Sequence, residues 1–126
     1  HWCKKHPLFK FVHKCLWRYH EWSFVGWGTD GFSLRNVEMR NAAREFRTQL
    51  KKEDKVIMVT HQPPHGTDLD NLDGRHVGNI DIRKAIERIK PALYICGHLH
   101  ENAGKSGKLG STMMVNPGWK GMVIEL

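Results

Sequence analysis

Residues 93–102 read "LYICGHLHEN". An apolar run of strand length meets a glycine, and two imidazoles follow with one leucine between them. A second stretch, "KVIMVTH" at 55–61, has the same grammar: a continuous apolar run with β-branched residues, closed by a histidine. Strands buried on both faces of an α/β sheet read this way. In open α/β sheets the space outside the carboxyl ends of the strands is where ligands bind. His61, His98 and His100 are therefore expected on one rim of one sheet. On an extended backbone, residues i and i+2 project to the same side. His98 and His100 would then face a common site while Leu99 turns into the core, and Gly97 would permit a tight entry.

The rest of the chain fits around these two strands. Pro7 suits the first turn of a helix, where its missing N–H costs nothing. Leu8, Phe11, Val12, Cys15, Leu16 and Tyr19 recur at helical spacing, which predicts a helix over 7–19. "WSFVGWG" at 22–28 reads as a strand and "TDGFS" as a loop. Met39, Ala42, Ala43, Phe46 and Leu50 share one face of a second helix. "QPPHGTDLDNLDGRHVG" at 62–78 is a loop long enough to suggest a functional role. Asn79 can cap a third helix carrying Ile82, Ala85, Ile86 and Ile89, which Pro91 ends. After the strand at 92–96, "GKSGKLG" reads as a turn leading to two strands, "STMMVN" and "GMVIEL". The expected order is α-β-α-β-α-β-β-β, a layered α/β domain.

Bulk properties bound the function. At 126 residues the chain is one domain by length. No apolar run approaches the roughly 20 residues of a membrane span. A chain beginning at a histidine, with no initiator Met and no apolar signal core, is expected to be cut from something longer. The formal charge of +7 attracts anions, phosphate included, but the charges form no basic block beyond Lys-Lys pairs. Cys3, Cys15 and Cys96 make an odd number with no C-x-x-C pair, which argues against a disulfide framework and for a reducing cytoplasm. Nine histidines raise the expectation of metal. The spacing excludes a zinc finger. It excludes an EF-hand as well, because Asp73 stands where a loop opening at Asp68 and Asp70 would need glycine.

Three segments carry a resemblance. "VTHQPPHGTDLD", "YICGHLHENAGK" and "VNPGWKGMVIEL" together closely resemble the C-terminal half of calcineurin-like metallophosphoesterases, most of all the small prokaryotic and archaeal kind. Gly97, His98, Leu99 and His100 match the last metal motif, G-H-x-H. His61, Gln62 and Pro63 match the x-H-x-P element before it. The resemblance spans about residues 22–126 and implies a β-sandwich flanked by helices, with this chain carrying roughly the second half. It implies two divalent ions, Mn, Fe or Zn, with His61 and His98 on one and His100 on the other. A bridging water would attack the phosphorus of a phosphomonoester or phosphodiester substrate.

The departures matter equally. The family's D-x-H and G-D-x-x-D elements, which supply carboxylates, occur nowhere here, and the asparagine of its G-N-H-[D/E] element is missing too. Three histidines cannot hold two ions in a hydrolytic arrangement without oxygen ligands. The resemblance thus implies that the N-terminal half of the domain lies outside this chain and that the chain alone is inactive. His1 stands at about the separation of the G-N-H histidine and is the candidate catalytic group. His65 and His76 border the long loop as candidates for contacting phosphate, and Asp68, Asp70 and Asp73 read as turn formers. Trp17, Trp22, Trp27 and Phe32 could line a substrate pocket or fill the core. Two other readings compete: a non-catalytic scaffold on the same fold, and a basic module binding nucleic acid.

Overall fold

The computed structural model describes residues 5–28 and 31–126. Its centre is a six-stranded mixed sheet in the order β1-β2-β3-β6-β8-β7. Strand β1 is Leu16–Tyr19, β2 is Trp22–Trp27, β3 is Lys55–Thr60, β6 is Leu93–Ile95, β7 is Ser106–Leu109 and β8 is Thr112–Val115. The four inner strands are parallel to one another, and the two edge strands, β1 and β7, run antiparallel to β2 and β8. A two-stranded ribbon, β4 (Asn71–Leu72) and β5 (Arg75–His76), interrupts the long loop. Its turn is Asp73-Gly74, both at positive φ (50° and 80°), the two-residue hairpin turn that matches strand twist.

Helix α1 (Val37–Gln49) joins β2 to β3, and helix α2 (Ile80–Ile89) leads into β6. Asn36 caps α1, its side chain accepting from Met39 N, and Asn79 caps α2 in the same way from Ile82 N. Lys90 turns left-handed just before Pro91 and closes α2. Both helices lie on one face of the sheet. Met39, Ala42, Ala43 and Phe46 of α1 and Ile82, Ala85 and Ile86 of α2 pack with Val25, Met58, Tyr94 and Met114. Each large side chain so buried contributes about 1.5–3 kcal/mol of transfer free energy. The opposite face carries Ile57, Leu93 and Val115, with Trp22, Phe24, Val59, Ile95 and Met113 only partly covered and Ile124 packed against them.

The α/β class and the inner strands are as expected, but three elements differ. Residues 7–19 are not a helix; their last four form β1, a hairpin partner of β2 with Trp17 opposite Phe24 and Tyr19 opposite Trp22. Leu8, Phe11 and Tyr19 of the supposed apolar face are exposed. The "GKSGKLG" turn is mostly strand β7, because Gly110 (φ 59°) and Ser111 alone make the turn to β8. Residues 121–126 form no strand. A second large sheet, as a sandwich would require, is not present among the described residues.

Candidate metal centre

Strand β3 delivers His61 to the C-terminal rim of the sheet. Its N–H donates to Trp27 O at 3.1 Å and its carbonyl accepts from Gly97 N at 3.1 Å, so the ladder runs one step past the strands on both sides. The next residue is held from below. The hydroxyls of buried Tyr94 and Thr60 lie 2.8 and 2.6 Å from Gln62 O and also contact each other, so two protons are shared among three contacts. Burial pushes the Tyr94 phenol well above its usual range and the Cys96 thiol up to about 12, so both stay neutral. Gln62, itself fully buried, exchanges hydrogen bonds with Ser33, which Asn79 also grips at 2.7 Å. His61 thus sits on a rigid polar floor that joins three loops.

His98 arrives from β6 by a sharper route than an extended backbone. Leu99 N donates to Gly97 O at 2.8 Å around His98, whose φ is +66°. That is a positive-φ γ-turn, a rare and strained shape for a residue with a Cβ. Leu99 is buried, as expected. Its carbonyl accepts from Asn116 Nδ2 at 3.0 Å, while Asn116 Oδ1 accepts from Gly118 N at 3.1 Å. The "VNPG" segment therefore clamps the histidine loop. Asn102, also buried, donates to Leu69 O and Asn71 O and ties the same loop to the long one.

The two imidazoles meet. His98 Nδ1 lies 2.8 Å from His61 Nε2, across 37 residues of chain, and their ring centroids are 4.6 Å apart. Phe32 covers His98 edge-on at 4.1 Å. His98 Nε2 is buried with no hydrogen-bond partner. Whichever ring carries the shared proton, that outer nitrogen is unsatisfied. Burial holds His98 below the usual imidazole range, and the neighbouring His61 and His100 push the same way. His100 is exposed at the start of a 3-10 turn, His100–Asn102, and shares with His98 a cavity of about 400 Å³ closed by Pro117, Gly118 and Trp119.

The donor set can be tested against a metal. A tetrahedral ion with M–N distances of about 2.0–2.1 Å separates two ligating nitrogens by about 3.3–3.4 Å. His61 Nε2 and His98 Nδ1 would need to part by about half an ångström from the 2.8 Å they share. That is a side-chain adjustment, so two neutral imidazoles fit as part of a ligand set. The set is incomplete: among the described residues no group of three or more His, Cys, Asp or Glu is placed to hold an ion.

His65 and His76 lie elsewhere. They flank Asp70, a fully buried carboxylate that accepts from Gly66 N, Thr67 N and Gly78 N at 2.8–2.9 Å. His76 Nδ1 is 2.7 Å from Asp70 Oδ1, and His65 Nδ1 is 3.8 Å from Oδ2. Asp70 is a turn former, as the sequence suggested, and His76 edges a cleft with Arg83, Lys105 and Lys108. A Cβ at Gly107 of β7 would come within 3.0 Å only of Asp68 Oδ2, the end of an exposed side chain free to turn away. Of the aromatic group, Trp27 is core, Trp17 and Trp22 lie on the other sheet face or its edge, and Phe32 alone borders the histidines. His1 lies outside the described residues. Sequence reasoning missed the supports, Tyr94, Thr60 and Asn102. Only the asparagine of "VNPG" gave a signal.

Comparison with known proteins narrows the reading. No family model matches. The chain is 33% identical over 104 residues to the uncharacterized protein MJ1162 of Methanocaldococcus jannaschii, which covers 75% of this chain and 47% of that protein. It is 40% identical over 79 residues to UPF0046 protein K07C11.7 of Caenorhabditis elegans, covering 61% and 27%. It is 33% identical over 95 residues to metallophosphoesterase domain-containing protein 1 of Homo sapiens, covering 74% and 27%. A crystal structure superposes with a TM-score of 0.72 at 21% identity, over 89% of this chain and 47% of the other. The chain spans about half or less of the length of the relatives it matches. The likeness to metallophosphoesterase-domain proteins is therefore partial, and the fold is shared with solved α/β structures. Among the described residues no helix is long and apolar enough to cross a membrane.

Proposed function

We propose that this chain is the C-terminal part of a calcineurin-like, metal-dependent phosphohydrolase acting on a phosphomonoester or phosphodiester. One observation carries the reading: His61 and His98, delivered by two parallel strands, touch at the rim with an orphaned buried nitrogen beside them. In this reading His61 and His98 hold one divalent ion, Mn, Fe or Zn, and His100 the other. Such ions supply Lewis acidity toward a phosphoryl group. The residues of this chain orient the imidazoles through Tyr94 and Asn116, and burial favours the neutral form of His98. The half-covered sheet face is where the other sheet of the sandwich would pack, and the acidic ligands would come from that half. A reducing, cytoplasmic setting belongs to the same reading, from an odd number of cysteines with no C-x-x-C pair.

Calorimetric titration with Mn²⁺ or Zn²⁺ tests this. Binding is expected, and His98→Ala should abolish it while leaving the melting profile cooperative. The 126-residue chain should release no nitrophenol from nitrophenyl phosphate until the carboxylate-bearing half is joined to it. Metal binding indifferent to His98→Ala would overturn the site. Binding without hydrolysis in the joined protein would favour the scaffold reading.

A further inference from the structure

The groove between α1 and α2 is built unlike the rest of the surface. Arg35, Arg40, Arg44, Arg47, Lys84 and Arg88 line it, together with the buried Asp81 and two alanines, Ala43 and Ala85. On α1 the arginines fall at i, i+4 and i+7, and on α2 the cations fall at i and i+4, so each helix presents a row to the same groove. Like charges at that spacing destabilise a helix. Asp81 does not offset them all. It is engaged by Asn36 N at 2.8 Å and by Arg40 at 3.2 Å. The glutamates of both helices are turned elsewhere: Glu38 to Lys14, Glu45 to Gln49 and Glu87 to Arg83. Arg44, Arg47, Lys84 and Arg88 have no ion pair among the described residues.

The chemistry of the lining defines the ligand. Guanidinium and ammonium groups donate and never accept, so the occupant must be rich in acceptors and negatively charged. No aromatic side chain lines the groove, so a base has nothing to stack on. The cavity is about 190 Å³, below the roughly 300–1,000 Å³ that drug-sized ligands occupy. Six cations less one carboxylate leave a charge near +5. At about −1.5 to −2 for a terminal phosphate group, a single orthophosphate would offset less than half of it. We propose that this groove is a binding site for a compact oligophosphate, a chain of two or three linked phosphates, separate from the histidine centre. The inference does not rest on the phosphohydrolase reading.

Calorimetry of the purified protein with tripolyphosphate at low salt tests it. Tripolyphosphate should bind at least about tenfold tighter than orthophosphate, and the affinity should fall steeply as salt rises. Arg44→Ala combined with Arg88→Ala should weaken binding by about tenfold or more, and His98→Ala should leave it unchanged. Removing like charges from exposed helix positions should not lower the melting temperature. If that double variant fails to fold, Arg47→Gln with Lys84→Gln carries the same expectation. Equal affinity for orthophosphate and tripolyphosphate would overturn the proposal. So would unchanged binding in the folded double variant, or loss of binding in His98→Ala. A single-stranded oligonucleotide that outcompetes tripolyphosphate through the same arginines would replace the oligophosphate site with a nucleic-acid surface.

Discussion

Two pairs of histidines sit on the same stretch of loop architecture, and the fold treats them in opposite ways. His65 and His76 share a buried carboxylate that three backbone N–H groups already hold in place. His61 and His98 face each other with no carboxylate between them, one in a strained turn and with an unsatisfied nitrogen. The first arrangement satisfies the carboxylate and organises a loop, although His65 Nδ1, 3.8 Å from it, makes no hydrogen bond. The second leaves polar groups unsatisfied in a place where backbone strain is also concentrated. Strain and orphaned donors persist where the surrounding structure overdetermines them, and such sites cluster at functional centres. The carboxylate in one pair and the strained turn in the other support reading the Asp70 cluster as structural and the rim pair as the candidate site.

The largest effect that could break this contrast is Asp70→Ala. Three N–H groups and one imidazole would lose their acceptor inside the fold. A loss of stability on the order of 3 kcal/mol is expected from urea denaturation. A loss below about 1 kcal/mol would mean that water replaces the carboxylate and that the cluster is not structural. Next in size is Asn116→Ala, which removes the clamp on Leu99 O and Gly118 N. About 2 kcal/mol is expected, with metal affinity reduced because His98 loses its fixed approach. His98→Gly should act in the reverse direction. Glycine accepts the +66° φ without penalty, so a gain of up to about 1 kcal/mol is expected in the same assay, with metal binding gone. A strongly destabilised His98→Gly would make His98 a packing residue.

Much of this contrast was legible in advance. "KVIMVT" and "LYI" are buried parallel strands because their apolar runs have no polar face to expose, and their ends had to share a rim. Asn79 and Pro91 bracket α2 by local chemistry alone. The failures have equally local causes. Leu16 and Arg18 lie on one side of a strand, Trp17 and Tyr19 on the other, yet the same residues also fit a helical period. The hairpin turn at His20 (φ 50°) carries none of the Gly, Asn or Asp that would have announced it. The rim pair was found through sequence order, but its shape was not: the i, i+2 argument assumed extended backbone where the chain makes a γ-turn. The Asp70 cluster was seen only as turn formers, because which histidines reach a carboxylate depends on the ribbon β4–β5.

The smallest test uses pH. His98 titrates below its ordinary value of 6.5 in the fold, first because burial disfavours the cation and then because His61 and His100 repel it. The folded state therefore binds fewer protons than the unfolded chain between the folded pKa and 6.5. The contribution of neutral His98 is whole above pH 6.5 and is lost as pH falls through that window toward the folded pKa. Urea midpoints should decline across it. Asp81, Asp54 and Glu38 cannot mimic the decline, since all three are held below ordinary values of 3.8–4.5 and titrate at lower pH. His98→Gln keeps the ring's approximate bulk and polarity but cannot take up a proton, so it should flatten the slope. If the slope survives in His98→Gln, the uncharged character assigned to His98 is wrong. The distinction from the carboxylate-anchored histidines would then have to rest on geometry alone.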